Sequence, residues 1–65
     1  MESKVLVLSP AQEDFAEQHD ATPGFDAGNG TGVFFYRHEE RMTDRWLVDR
    51  QGAVLEEVHF RLRAA

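Results

Sequence analysis

The chain contains no cysteine, only one lysine, and no apolar run long enough to cross a membrane. Without cysteine the protein has no disulfides, which fits a reducing compartment. No basic segment followed by an apolar one stands near the N-terminus, so the sequence shows no recognisable export signal. These absences predict a cytoplasmic protein that does not engage a membrane. Six arginines against one lysine also suggest a GC-rich bacterial genome.

Length limits both the architecture and the stability of the fold. A chain of 65 residues forms one domain at most, so we expect residues 1–65 to fold as a single unit. Ordering such a chain costs roughly 1.5 kcal/mol per residue, which nearly cancels what a small core contributes. Because disulfides are excluded, a metal or a partner subunit is the remaining source of extra stability.

Charge is unevenly distributed along the chain. The formal net charge is -5, and residues 1–32 carry all of the excess, with six acidic residues against Lys4. Residues 33–65 carry six acidic and six basic residues. Direct binding to nucleic acid requires a basic surface, so the composition argues against it. The acidic stretch from Glu13 to Asp26 contains no Lys or Arg, and it either keeps the protein soluble or faces a basic partner.

The first half of the chain predicts one strand and one short helix. Residues 4–8 are apolar and rich in valine, which indicates a buried strand. Ser9 and Gln12 have the spacing of a capping box, and a proline follows Ser9, so we predict a helix over residues 10–19. The apolar side of this helix is small, and Phe15 is expected to pack on the sheet.

Residues 20–32 form a glycine-rich segment, which we interpret as a connector. The run GNGTG lacks the spacing of a dinucleotide-binding fingerprint and opens into the apolar run VFFY rather than into a helix. No Lys followed by Ser or Thr is in place for a P-loop. A small anion-binding nest built from the backbone amides stays as the alternative.

The second half of the chain predicts a β-meander over residues 33–62. Its strands are expected at residues 33–38, 44–49 and 53–62. The segment from Asp49 to Gly52 is typical of a type I turn whose glycine takes a positive φ. The predicted fold is therefore α+β in the order β-α-β-β-β. It has a four-stranded, mostly antiparallel sheet with one short helix packed on one face.

The turn from Asp49 to Gly52 sets the register of the last hairpin, and a similar turn through residues 39–42 sets the register of the preceding one. The registers decide which side chains share a face of the sheet. In the last hairpin the expected pairs are Val48 with Val54, Leu47 with Leu55, Trp46 with Glu56, and Arg45 with Glu57. In the preceding hairpin they are Phe35 with Trp46, Tyr36 with Arg45, and His38 with Thr43. The face expected to pack on the helix carries Val33, Phe35, Trp46, Val48, Val54, Val58, Phe60 and Leu62, interrupted by Glu56 and by Arg37 with Asp44.

The second face of the predicted sheet supplies the candidate site. Its residues are Phe34, Tyr36, His38, Arg45, Leu47, Leu55, Glu57 and His59. Three aligned apolar residues among them indicate that something covers part of this face. The leading hypothesis is a non-catalytic interaction protein, a homo-oligomer whose dry centre is Phe34, Leu47 and Leu55.

Two alternatives stay open. The first is a site for a small aromatic or anionic ligand, or an acid/base enzyme subunit, that uses Tyr36, His38, Arg45 and His59. The second is an acidic inhibitor that engages a basic nucleic-acid-binding partner, and it rests on the charge asymmetry alone.

Catalytic and metal chemistry find little support in the sequence. Ser3 and Ser9 are the only serines, and neither has a plausible base beside it. His38 and His59 are expected to lie roughly 10 Å apart, too far for easy sharing of one metal ion. The run HEE lacks the second histidine of a zinc-protease motif, because Met42 stands in its place. We therefore expect no metal and no cofactor.

Overall fold

The computed structural model describes residues 6–61 and shows an α+β fold. One helix, α1 (Pro10–His19), precedes four strands. These are β1 (Thr22–Asp26), β2 (Val33–Glu39), β3 (Met42–Val48) and β4 (Val54–Arg61). They form one four-stranded sheet in the order β1-β2-β3-β4, and each neighbouring pair is antiparallel.

Helix α1 begins at the capping box that the sequence predicts. The backbone N–H of Gln12 donates to Ser9 Oγ at 3.2 Å, and the Gln12 side chain accepts from the backbone N–H of Ser9 at 3.0 Å. The same two residues fasten the helix to the sheet. Gln12 Nε2 donates to the carbonyl of Val48 at 3.1 Å, and Ser9 Oγ donates to the carbonyl of Arg50 at 2.7 Å. The side-chain amide of Gln12 can be buried at little cost because its oxygen and its nitrogen both have hydrogen-bond partners.

The predicted strand over residues 4–8 is not found where it can be checked. Residues 6–8 have no strand assignment, and residues 4 and 5 lie outside the described part of the chain. Leu6 and Leu8 instead pack against the edge of the core. An apolar run therefore fills space beside the sheet without joining it, because burial alone does not require a ladder of backbone hydrogen bonds.

Strand β1, which completes the four-stranded sheet, lies inside the segment predicted as a connector. Strand β1 pairs with β2 through Thr22 opposite Tyr36 and Phe25 opposite Phe34, and the register shifts between Pro23 and Phe25. Proline is tolerated because β1 is an edge strand whose outer N–H groups need no partner. The connector is thus shorter than predicted and consists of the turn between β1 and β2.

The register between β2 and β3 is confirmed, whereas the register between β3 and β4 is wrong by one residue over most of its length. Val48 lies opposite Val54 as predicted, but Leu47 then lies opposite Glu56. Leu55 is the extra residue of a β-bulge and has no partner on β3. Because side chains alternate along a strand, this bulge exchanges the two faces of β4 beyond Leu55.

The core lies between the helix and one face of the sheet, which we call the helix face. Its buried hydrophobic residues are Phe15, Val33, Phe35, Trp46 and Val48. The ring of Phe15 packs 5.4 Å from that of Phe35 and 5.5 Å from that of Trp46, so the helix contacts the sheet mainly through this one side chain. Val58 and Phe60, which the sequence places in this core, lie on the other face because of the bulge. Leu62 lies outside the described residues.

Candidate functional site

The opposite face of the sheet, which we call the open face, has no element of residues 6–61 packed over it. The register places on it side chains from all four strands: Thr22, Phe25, Phe34, Tyr36, His38, Thr43, Arg45, Leu47, Glu56, Val58 and Phe60. Phe25 and Phe60 keep 55% and 45% of their surface exposed. A patch of this composition on one side of a small sheet is a candidate interaction surface.

The structure divides the eight predicted site residues between two faces. Five of them share the open face: Phe34, Tyr36, His38, Arg45 and Leu47. Leu55 sits in the bulge and is 52% exposed. Glu57 and His59 lie on the helix face, opposite Trp46 and Asp44. The bulge in β4 is the physical reason for this separation, since a shift of one residue reverses every side chain that follows it.

An aromatic strip runs along β1 and β2 on the open face. The rings of Phe25 and Phe34 are 4.9 Å apart, those of Phe25 and Tyr36 are 6.2 Å apart, and those of Tyr36 and His38 are 6.4 Å apart and stacked. Gly24 makes room for this strip, because a Cβ at that position would lie 2.5 Å from the Tyr36 ring. The missing side chain of Gly24 therefore helps to seat Tyr36.

Arg45 occupies the middle of the open face. Its guanidinium carbon lies 5.4 Å from the centroid of Phe34 and 5.5 Å from that of Phe60, within the range of cation–π contacts. Its Nη2 donates to Glu56 Oε1 at 3.2 Å. Its Nε is buried and has no hydrogen-bond partner, and it is the one such side-chain atom among residues 6–61. An unpaired buried donor is costly, so Arg45 is incompletely satisfied in the isolated chain.

The helix face carries a polar cluster of Arg37, Asp44, Glu57 and His59, which we call the Asp44 cluster. Asp44 is only 2% exposed. Its Oδ2 accepts hydrogen bonds from Arg37 Nε at 3.0 Å and from Arg37 Nη2 at 2.7 Å. Its Oδ1 is bonded to His59 Nδ1, and His59 Nε2 is 2.8 Å from Glu57 Oε2. The buried carboxylate is thus fully paired.

The pKa values in the Asp44 cluster shift in the directions that this pairing requires. The hydrogen bonds from His59 and Arg37 hold the pKa of Asp44 below its ordinary value. The hydrogen bonds to Asp44 and then to Glu57 raise the pKa of His59. Because carboxylates only accept, both contacts are satisfied when each ring nitrogen of His59 carries a proton, and this is why the pKa of His59 is raised.

The polar side chains of the Asp44 cluster are engaged with one another. Each ring nitrogen of His59 lies within hydrogen-bond distance of a carboxylate oxygen. Ser9 Oγ, the serine hydroxyl of residues 6–61, is engaged by the helix cap and by Arg50. No group of three or more His, Cys, Asp or Glu side chains in these residues could hold a metal ion. The cluster is explained by its contribution to the fold.

In the glycine turn between β1 and β2, one backbone amide donates to a carboxylate of the same turn. Gly28 and Gly30 have φ values of +89° and +69°, and the backbone N–H of Gly28 donates to Asp26 Oδ1 at 2.6 Å. The carboxylate of Asp26 therefore stands where an anionic ligand would accept. Gly32 is required for another reason, since a Cβ there would lie 2.6 Å from the carbonyl oxygen of Val48.

Sequence reasoning missed five members of the open face, namely Thr22, Phe25, Glu56, Val58 and Phe60. Phe25 lay in a segment dominated by proline and glycine, which hides a strand. Val58 and Phe60 were assigned to the opposite face because no residue of β4 marks the bulge. The pairing of Arg37 with Asp44 was recognised from the register of β2 and β3.

Comparison of the chain with known protein families, curated proteins and solved structures finds no match. Within residues 6–61 no helix has the length and apolar character needed to span a bilayer. The function is therefore argued from the geometry of the two faces.

Proposed function

We propose that this protein is a non-catalytic cytosolic interaction protein that self-associates through its open face. The observation that carries the proposal is the aromatic and aliphatic open face itself, which extends over all four strands and which the helix of the described residues does not cover. Scattered apolar residues on a surface need no explanation, but a contiguous set that includes Phe25, Phe34, Leu47 and Phe60 does.

The small core supports the need for a partner. Among residues 6–61, five hydrophobic side chains are buried: four lie on the helix face and the fifth, Phe15, packs against them from α1. A chain of this length gains little net stability from such a core. Packing a second copy against the open face would turn a two-layer structure into one with apolar side chains covered on both sides of the sheet.

The charges of the open face favour a second copy as the partner. Arg45 and Glu56 are both on this face and form a single 3.2 Å contact that leaves Arg45 Nε unpaired. Across a two-fold axis, Arg45 of one copy can meet Glu56 of the other, since an isologous interface repeats every contact. The Arg45 side chain is 30% accessible, so a carboxylate of the second copy can meet the exposed part of its guanidinium group in a charge-assisted contact.

The size of the face sets the extent of the contact. Four strands about 4.8 Å apart and seven residues rising about 3.3 Å each give a rectangle of roughly 19 by 23 Å. Its flat area of about 440 Å² compares with about 800 Å² of accessible surface per partner in a standard interface. Side-chain relief adds to the accessible area, so the interface has to use the whole face and not only its central row.

The ligand-site alternative loses part of its residue set. Tyr36, His38 and Arg45 stay together on the open face, but His59 lies on the helix face and is engaged by Asp44. A small aromatic or anionic ligand on the remaining three is an outcome of the test below. The acidic-inhibitor alternative rests on charge alone and gains no further observation.

The test measures molecular mass by size-exclusion chromatography with light scattering. Leu47→Arg places an unpaired charge in the middle of the open face, which is strongly disfavoured at a dry interface. We expect the wild type to be oligomeric and Leu47→Arg to be smaller in mass. Gln18→Arg, which changes the charge equally at an exposed position of α1, is the matched control and should keep the wild-type mass.

A companion variant separates an interface from a ligand site. Tyr36→Phe removes only a hydroxyl and should leave the mass unchanged, because ring area anchors the contact. A ligand site oriented by that hydroxyl would instead lose affinity for small aromatic or anionic compounds. Unchanged mass in Leu47→Arg, together with such a loss in Tyr36→Phe, would replace self-association by ligand binding.

A further inference from the structure

The two edges of the sheet differ in how well they are protected from pairing with another strand. Strand β1 has five residues, contains Pro23, and is interrupted by a register shift next to Gly24. Short length, proline and bulges are the features by which natural proteins block an edge. Strand β4 has eight residues and no proline, and within residues 6–61 its hydrogen-bonded neighbour is β3 on one side only. The outer edge of β4 is therefore the open edge.

From this comparison we infer that β4 is a second self-association surface. It pairs antiparallel with β4 of another copy, across a two-fold axis at Val58, to form one continuous eight-stranded sheet. The inference rests on the proposed self-association and adds an edge contact to the open-face contact.

The order of charges along β4 favours its own copy as the occupant. With the axis at Val58, Glu57 of each copy lies opposite His59 of the other, so two pairs of opposite charge flank the axis. Leu55 then lies opposite Arg61, and Glu56 opposite Phe60. Charged residues usually protect an edge by repulsion, but here they are self-complementary. The hydrogen bonds to Asp44 and Glu57 within each copy raise the pKa of His59, which favours the charged form of the ring.

The register at Val58 is selected by two requirements. Both helices lie on the same side of the joined sheet only if directly opposite residues belong to the same face of the sheet. This condition requires that one residue of β4 lie directly opposite its own copy across the axis. An axis at Glu57 would place two carboxylates directly opposite, and an axis at His59 would do the same with two cations. Like charges directly opposite are destabilising, and Val58 avoids both arrangements.

Edge pairing is compatible with the open-face contact. An axis perpendicular to the sheet keeps both open faces on one side and doubles the apolar surface available for packing. The open-face contact adds a second two-fold axis, which lies between two facing sheets and runs parallel to them. Together the two axes give a closed tetramer of two eight-stranded sheets, a symmetry common among homo-oligomers. Either contact can also form without the other.

The experiment uses the natural absence of cysteine to place single thiols in the full chain. Val58→Cys puts the two thiols opposite each other, where cross-strand Cβ atoms are about 4.5–5.5 Å apart and small movements allow a disulfide. Val54→Cys is the matched control. The same residue type is replaced in the same strand, but the inferred register separates the two copies of residue 54 by eight residues, or about 26 Å.

After mild oxidation with oxidised glutathione, non-reducing gels should show covalent dimers of Val58→Cys at a yield on the order of tenfold above that of Val54→Cys, since only the first satisfies disulfide geometry. Equal yields from the two variants, or no dimer from Val58→Cys, would overturn the inference. Because Val58 also lies on the open face, the same thiol is tested together with Leu47→Arg. Cross-linking should persist in that double variant, and its loss would assign the proximity to the open-face contact instead.

The two proposals fail in different ways. If Leu47→Arg keeps the wild-type mass while Val58→Cys cross-links, the edge contact stands and the open-face contact falls. If Leu47→Arg lowers the mass while Val58→Cys does not cross-link above its control, the open-face contact stands and the edge inference falls.

Discussion

The helix face and the open face of one sheet treat their charged side chains differently. On the helix face, Asp44 is almost fully buried and each of its oxygens has a partner. On the open face, Arg45 packs between two aromatic rings but leaves its Nε without a partner. A covered face has to satisfy its polar groups internally, whereas an uncovered one can leave them for a partner. The polar groups of the helix face are therefore paired within the chain, whereas the open face keeps one unpaired donor, which is consistent with the proposed self-association.

The first prediction sets two adjacent phenylalanines against each other. Phe35 is fully buried on the helix face, so Phe35→Ala should lower the free energy of unfolding by about 3–5 kcal/mol, enough to abolish cooperative unfolding of so small a domain. Phe34 is half-buried on the open face, so Phe34→Ala should retain cooperative unfolding and reduce mainly the oligomer mass. Urea denaturation with light scattering measures both. Equal loss of stability in the two variants at a concentration where each is monomeric would contradict the distinction between the faces.

The second prediction compares the charged centres of the two faces. Asp44→Asn keeps the shape of the side chain but removes the charge that holds Arg37 and His59, so we expect a clear fall in melting temperature, smaller than that of Phe35→Ala. Glu56→Gln on the open face is the control. Because Glu56 is exposed and makes one contact, it should change the monomer melting temperature little. A larger fall for Glu56→Gln than for Asp44→Asn would show that the Asp44 cluster does not stabilise the fold.

The third prediction concerns the pH dependence of stability. The Asp44 cluster should make stability fall at both high and low pH, because His59 and Asp44 change protonation there. The pKa of His59 is raised, so its contribution is fully present below its ordinary pKa of 6.5 and is lost as the pH rises through the raised value. The pKa of Asp44 is lowered, so its contribution is present above its ordinary pKa of 3.8 and is lost as the pH falls through the lowered value. Melting temperature should therefore be highest between these limits. His59→Gln should flatten the alkaline side of the profile, and an unchanged alkaline side would exclude His59 as its source.

Local signals explain what the sequence predicted correctly. The capping box at Ser9 and Gln12 is fixed by contacts within one helical turn, and the register of β2 and β3 follows from the tight turn between them. The α+β class, the single helix and the three strands of the meander follow from such signals together. The left-handed Gly52, at φ +86°, was also predicted from its turn.

Two features depend on contacts that no local pattern contains. Strand β1 forms because β2 offers an edge, and proline and glycine in Thr22–Asp26 conceal it in the sequence. The bulge at Leu55 inserts one residue without any marker such as glycine, and it alone moves Glu57 and His59 away from the candidate site. Prediction of the site therefore failed at Leu55, because this one extra residue determines which later side chains of β4 lie on the open face.

The fourth prediction tests the turn between β3 and β4, where Gly52 approaches helix α1. Gly52 has a φ of +86°, and a Cβ there would lie 3.1 Å from the Cβ of Ala11 on α1. Gly52→Ala should lower the free energy of unfolding by about 1–2 kcal/mol, because a left-handed residue with a Cβ is strained. Thermal denaturation measures the change. A wild-type melting temperature in this variant would mean that the turn adopts another conformation.

The smallest effect is expected in the glycine turn between β1 and β2, which belongs to neither face. Gly30 has a φ of +69° and open space around it, so Gly30→Ala meets only backbone strain and should lower the free energy of unfolding by about 1 kcal/mol. Gly30→Asn should change it less, since asparagine tolerates the left-handed region. Neither variant should alter the oligomer mass, because the turn contributes no residue to the open face or to the outer edge of β4. Phosphate provides the remaining control, because Asp26 already accepts from the Gly28 N–H and its negative charge opposes an anion there. Measurable phosphate binding by the wild type that Gly30→Ala abolishes would show that the turn is a ligand site and not a connector.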